Sequence, residues 1–231
     1  MFTPTDLFDP AGTEHWSLFA DVPYAWEVLP KIAPYLKTHL KPGIHAHIIG
    51  QPFIGERVYV GPGTRIDPGV VIIGPAWIGS GCHLRPGAYI RENVIIGNDC
   101  VVGNSCEFKN SLLFNKSQVP HFSYVGDSIL GVGSHLGAGV ICSNLKLQGT
   151  EVVIYHEGKK YPTGLRKFGA ILGDHAEVGC NSVLNPGSIL GRSSLIYPGV
   201  QWRGILPAQS VAKGNGLPQI VKRQRDAAPN S

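Results

Sequence analysis

The chain has 231 residues, enough for one or two domains, and carries a formal net charge of +4 with 43% hydrophobic and 16% charged residues. No apolar run reaches about eighteen residues and no basic-then-apolar leader opens the sequence, so neither a membrane span nor a secretory signal is expected, and the protein reads as cytoplasmic. The mild positive balance is compatible with phosphorylated ligands but does not select them over nucleic acid, and five cysteines without CxxC or another zinc spacing read as small, reduced core residues rather than metal ligands.

In chain order, residues 1–43 come first and lack a regular repeat. Apolar spacing between Trp16 and Leu40, interrupted by Pro23, Pro30 and Pro34, predicts short helices capping the first coil of the repeat region, with a partner-binding helix as the alternative.

From Ile48 an apolar residue then returns at every sixth position: Ile54, Val60, Ile66, Ile72, Ile78, Leu84, Ile90, Ile96, Val102, Phe108. A six-residue period fits neither a lone helix nor a paired strand. It fits an all-β parallel β-helix, a hexapeptide-repeat solenoid with one short strand per repeat. The pattern resembles the hexapeptide repeat of the left-handed β-helix proteins, which implies three hexapeptides to one triangular coil, so that residues eighteen apart stack, about 4.8 Å from coil to coil. Glycine and proline fall in phase at the corners. Cys82, Cys100 and Cys106 each lie four residues after a repeat position, where such a solenoid takes small side chains.

Residues 115–129 break the phase, which predicts a loop or short coil at Asn115–His121. The repeat resumes at Leu130, Leu136 and Cys142 and again from Leu172 to Trp202. Between them, residues 145–168 hold five Lys/Arg and no clear repeat. They predict an arm leaving the solenoid, with a small hairpin near Val152–Tyr155. The solenoid domain is expected over 44–206. The tail 207–231 comes last, its final dozen residues mobile.

Departures from the repeat are where chemistry is sought. Arg91 follows Ile90, and Lys109 follows Phe108 one coil later, so the two cations stack on one face. Two such charges repel unless an anion lies between them, which a phosphate would satisfy; a solvated basic ladder is the other reading. His121 can act as a general base near neutral pH or be a surface residue of the loop. His45 and His47 form an H-x-H pair with no evident third ligand.

The run Ala88–Arg91, then Glu107–Ser111, then Pro120–Ser128, then Leu136–Gly139 resembles the acetyltransferase domain of the bifunctional sugar-1-phosphate nucleotidylyltransferase/N-acetyltransferases, whose bacterial member makes UDP-N-acetylglucosamine. Ser143–Lys146 and Leu165–Asp174 are similar to the archaeal-type branch, which carries an inserted arm. The match spans roughly 44–205, and HxSYVGDS is its most specific segment. The resemblance implies a left-handed β-helix and a homotrimer with a site formed between subunits. It implies acetyl-CoA as cosubstrate, an amino-sugar 1-phosphate as acceptor and no metal. His121 matches the base. Arg91 and Lys109 match the residues gripping the sugar phosphate. Tyr124 and Asn144 match substrate contacts, and Cys180 and Pro198 match positions beside acetyl-CoA.

This sequence departs from that pattern in three places. No glycine-rich nucleotide loop precedes the solenoid, so nucleotidyl transfer is not expected. His135 replaces an Asn before the GAG motif. Thr150 and Val153 stand where the arm's substrate-binding lysines fall, with Lys146, Lys159 or Lys160 compensating. Two further readings stay open: a non-catalytic trimeric scaffold binding a sugar nucleotide, or an acyltransferase acting on a nucleotide-linked amino sugar.

Overall fold

The period of six appears as three parallel sheets wrapped around one apolar interior, in a computed structural model that describes residues 2–214 and 219–222. Each coil contributes one short strand to each sheet. The first sheet includes Val94–Ile96 and Ser111–Leu113. The second includes Val101–Asn104 and Gln118–His121. The third includes Glu107–Lys109 and Tyr124–Gly126. Every repeat position from Val60 to Trp202 is buried in a single core, so the parallel β-solenoid expected from the sequence is the fold observed.

The small-residue positions have a second task. Thr64 Oγ1 donates to the Gly79 carbonyl at 2.7 Å, Cys82 Sγ to Gly97 at 3.1 Å, Cys100 Sγ to Phe114 at 3.2 Å and Ser117 Oγ to Gly131 at 2.9 Å. Each compact donor ties its corner to a carbonyl one coil on, which a larger apolar side chain could not do. Cys82, Cys100, Cys106 and Cys142 are buried free thiols, whereas Cys180 is exposed.

Of the two readings of the phase break, a loop or a short coil, the structure shows shortened coils, with the missing residues at corners on either side of Asn115–His121. Val94 pairs with Ser111, and Leu112 with Ile129, each across seventeen residues, while Val94 and Ala76 are eighteen apart. Two successive coils have therefore lost one corner residue each. The shortened corners turn at Asn110 and Asp127, with φ of 45° and 47°. Asn and Asp tolerate this left-handed region better than most residues. His121 accordingly ends a regular strand rather than sitting in a loop.

The first forty residues form short helices, as expected, but lie along the flank of the solenoid instead of over its end. Phe8, Phe19, Trp26, Leu29 and Ile32 pack against the outward-facing Ile95, Leu112, Ile129, Ile171 and Ile189 of the first sheet. Polar ties run the same length: Arg57 donates to the Leu36 carbonyl and Arg192 to that of Thr5. The physical reason is that the first sheet is apolar on both faces and has far more surface to cover than one coil end. Ile44 and Ile48, at that end, remain 39% and 43% exposed.

The arm is the hairpin predicted. Val153–His156 pairs antiparallel with Lys159–Pro162 around a Glu157-Gly158 turn in which both residues have positive φ. Val152 and Ile154 anchor it in the flank cluster. Strand Ser210–Lys213 extends the second sheet and pairs antiparallel with Gln219–Lys222. The mobility expected of the last dozen residues falls mostly outside the described residues. None of the described helices is long and apolar enough to cross a membrane.

Candidate active site

Strand alternation sets what the third sheet shows to solvent. Ile90, Phe108 and Val125 point inward. Tyr89, Glu107 and Tyr124 form one outward row, and Arg91, Lys109 and Gly126 the next. Arg91 and Lys109 stack as the eighteen-residue spacing requires, but the anion between them is supplied by the chain. Glu92 lies 3.5 Å from Arg91 Nε and 3.9 Å from Lys109 Nζ. Arg91 Nη1 also donates to Glu107 at 2.9 Å, which raises its pKa, and Lys109 Nζ lies 3.9 Å from Asp127. Two cations thus face three carboxylates.

Asp127 is the hub that sequence reasoning missed. Its carboxylate accepts from Asn110 Nδ2 at 2.9 Å and from Asn144 Nδ2 at 2.5 Å, and that same Asn144 nitrogen lies 3.2 Å from Tyr124 Oη. Its backbone N–H donates to the Lys109 carbonyl, and its carbonyl accepts from Gly169 at the end of the arm. One buried side chain therefore links three coils and orients Lys109 and Asn144. The available signal was a shortened corner at an Asp: a residue in left-handed backbone beside the densest polar cluster. Burial pushes the Tyr124 phenol up, helped by the charges of Asp127 and Glu107, so it stays a neutral hydroxyl.

His121 occupies the other edge of the third sheet, at the corner shared with the second. Backbone bonds trace that corner from coil to coil: Phe122 N–H to the Asn104 carbonyl, Gly139 N–H to His121, Asn181 N–H to Ala138, and Gly199 N–H to Cys180. His121, Cys180 and Pro198 therefore lie along one line, His121 and Cys180 two coils or about 10 Å apart. The His121 ring is exposed and makes no hydrogen bond among the described residues, which leaves its nitrogens available. Next to it on the line is an open groove of about 350 Å³, lined by His135, Cys180, Leu195, Tyr197 and Pro198 among others and largely apolar.

Gly103 keeps this corner compact, because a Cβ there would collide with the Pro120 carbonyl. Arg85 directly follows the second-sheet strand His83–Leu84, one coil before Gly103. It is half-buried, and among the described residues it has no carboxylate partner. It was not singled out from the sequence, because it lies one residue past a repeat position like many exposed residues.

The structure thus brings Arg91, Lys109, Tyr124 and Asn144 together on one face and aligns His121 with Cys180 and Pro198 at its edge. It does not bring Lys146 into that cluster. Its ammonium donates to the Glu151 carbonyl at 2.8 Å, at the base of the arm.

Residues 72–158 match a family model described as the GMPPB C-terminal domain. The chain is 41% identical over 83 residues to a bifunctional sugar-1-phosphate nucleotidylyltransferase/acetyltransferase of Sulfurisphaera tokodaii, an alignment covering 36% of this chain and 21% of that protein. It is 39% identical over 80 residues to the bifunctional protein GlmU of Methanococcus maripaludis, covering 35% and 19%. To the GlmU of Bartonella quintana it is 29% identical over 170 residues, covering 74% and 29%. The alignments therefore span about a fifth to under a third of these curated relatives. Among solved structures, a putative acetyltransferase from Bacillus cereus is similar at 15% identity and a TM-score of 0.40, covering 78% of this chain and 85% of that one. AntD, an N-acyltransferase from the same species solved with dTDP and coenzyme A, is similar at 12% identity and a TM-score of 0.46, covering 83% and 89%. The resemblance read from the motifs is the one the family model and the relatives return.

Proposed function

We propose that this chain is an acyltransferase that moves an acetyl group from acetyl-CoA to the amine of a phosphorylated amino sugar, acting as a cytoplasmic homotrimer. The observation that carries the proposal is the corner line. An unpartnered His121 adjoins an apolar groove at Cys180 and Pro198 on one side and the polar face of Tyr124 and Asn144 on the other.

In this reading the thioester lies along the groove and the sugar lies over the third sheet. The amine nitrogen attacks the acetyl carbon as His121 accepts its proton. A backbone N–H near the corner holds the oxyanion. The carbon–sulfur bond breaks, and the thiolate leaves with a proton returned from His121. Asn144 and the neutral Tyr124 hydroxyl hold sugar hydroxyls. A thioester is reactive enough that amide formation needs no metal.

The charge inventory bears on the phosphate. Arg91 and Lys109 are already compensated by Glu92, Glu107 and Asp127, so an incoming phosphate must displace the exposed Glu92 or use Arg85, which stands nearer His121. The same compensation favours a second reading, in which the acceptor is nucleotide-linked and its phosphates bind elsewhere. A thiol-release assay with acetyl-CoA and a panel of amino-sugar phosphates and nucleotide-linked amino sugars separates the two. Release with glucosamine 1-phosphate, reduced in Arg85→Ala or Lys109→Ala, supports the first. Release only with nucleotide-linked sugars supports the second. No release with any acceptor rejects both.

A further inference from the structure

At the base of the arm lies a second groove, of about 360 Å³, that the corner chemistry does not use. Its floor is the continuation of the outward row that holds Arg91 and Lys109. Beyond Gly126 that row passes through Ser143, Asn185 and Arg203. The arm supplies the wall, with Lys146 and Gln148. We infer that this groove binds the diphosphate of a nucleotide, held by Arg203 and Lys146.

The contrast in charge carries the inference. Around Arg91 and Lys109 three carboxylates answer two cations. The arm groove has two cations and no Asp or Glu in its lining. Lys146 spends one N–H on a neutral carbonyl, that of Glu151, and keeps two. The Glu151 carboxylate is occupied by the Gly164 N–H at 2.7 Å. Arg203 makes no hydrogen bond or ion pair among the described residues. It also borders an adjoining groove of about 280 Å³ with Tyr155 and Pro186, so its guanidinium can be reached from two sides. Ser143 and Gln148 add a hydroxyl and an amide donor, while the Asn185 amide already donates to the Trp202 carbonyl at 3.0 Å and keeps one N–H. The cleft at Asp9, Asp174 and Arg192 differs: there opposite charges face each other and fasten the N-terminal segment.

Position selects a diphosphate over a sugar 1-phosphate. From Gly126 to Arg203 is three coil steps, about 14 Å, and the width of the third sheet separates that row from His121. An amine at His121 whose phosphate sits on the neighbouring carbon cannot span this. Two chemistries can: the diphosphate of a nucleotide-linked acceptor, or that of coenzyme A. As a binding site the groove stands on its own. Its service to acetyl transfer rests on the function proposed above.

Calorimetry on the full chain at low ionic strength, with uridine diphosphate, coenzyme A and inorganic pyrophosphate as separate probes, tests the inference. At least one probe should bind, and Arg203→Ala and Lys146→Ala should each weaken it about 10- to 100-fold, the usual worth of a charge-assisted contact. Loss confined to uridine diphosphate assigns the groove to the acceptor. Loss confined to coenzyme A assigns it to the cosubstrate. Pyrophosphate weakened alone or alongside either one supports the charge contact itself. Absence of binding by all three, or affinities unchanged in the Arg203→Ala/Lys146→Ala double variant, overturns the inference. A wild-type protein that binds but transfers no acetyl group would reject the acyltransferase reading and leave the groove standing.

Discussion

At the scale of single residues, His121 and Asp127 make different demands. The His121 ring makes no hydrogen bond among the described residues and contacts only the exposed Phe122 ring, 6.1 Å between centroids, so its removal should leave the solenoid intact. His121→Ala is expected to lower the acetyl-transfer rate about 10²–10⁴-fold, with an unchanged far-ultraviolet circular dichroism spectrum. Full activity in that variant, or loss in His135→Ala instead, would move the base elsewhere. Asp127 acts through its neighbours. Asp127→Asn places an amide donor where Asn110, Asn144 and Lys109 all offer donors. The acceptor KM should rise while the acetyl-CoA KM holds. Removing that negative charge should also lower the pKa of the Tyr124 phenol, because Asp127 is one of the charges that raise it. Ultraviolet titration of Asp127→Asn, with Tyr124→Phe to identify the signal, checks this separately from activity.

At the scale of elements, the N-terminal segment acts as a strap across the first sheet, and His15 makes its docking pH-dependent. His15 is buried, with Nδ1 3.0 Å from Tyr35 Oη and its ring edge-on to Trp77. Burial holds its pKa down at about 4 from the usual 6.5, with the Glu14 carboxylate opposing and His39 adding to the drop. The unfolded chain therefore takes a proton at this site from about pH 6.5 downward, while the folded chain stays neutral until about pH 4. Stability present above pH 6.5 should fall as the pH drops through that window, by about 1.4 kcal/mol per unit from this group. Denaturant unfolding at several pH values should show a shallower acid slope in His15→Gln. An equal slope in both proteins would mean that the strap detaches before His15 matters.

For the whole molecule, the strap decides which surfaces remain for assembly. The outer face of the first sheet is covered, which leaves the outer faces of the second and third sheets, where the His121 corner and its groove lie, open for contact between copies. Light scattering should give about three times the chain mass of 24.8 kDa. A stable monomer at micromolar concentration, active in the thiol-release assay, would remove the expectation of a site shared between subunits.

What the sequence determined by itself was the architecture, together with a list of candidate site residues. In a solenoid each strand pairs with the one eighteen residues on, so contacts that are long-range in other sheets are written here as a short repeat. Val60 to Phe108 state the core, and Cys82, Cys100 and Cys106 state the corners. His121, Arg91, Lys109, Tyr124 and Asn144 were legible because a motif places them at known phases of that repeat. The tertiary structure decided the rest, for reasons that no local pattern encodes. A missing corner residue at Asn110 and another at Asp127 left a loop and a short coil equally open, because a deletion absorbed by left-handed backbone leaves no mark beyond a slipped phase. The strap was misplaced because its site depends on a row of outward apolar residues, Ile95, Leu112, Ile129, Ile171 and Ile189, assembled from separate coils. The stacked cations were read as bare because their partners, Glu92, Glu107 and Asp127, come from three different coils. Only the fold brings those carboxylates within reach and so decides which cations remain free for a ligand.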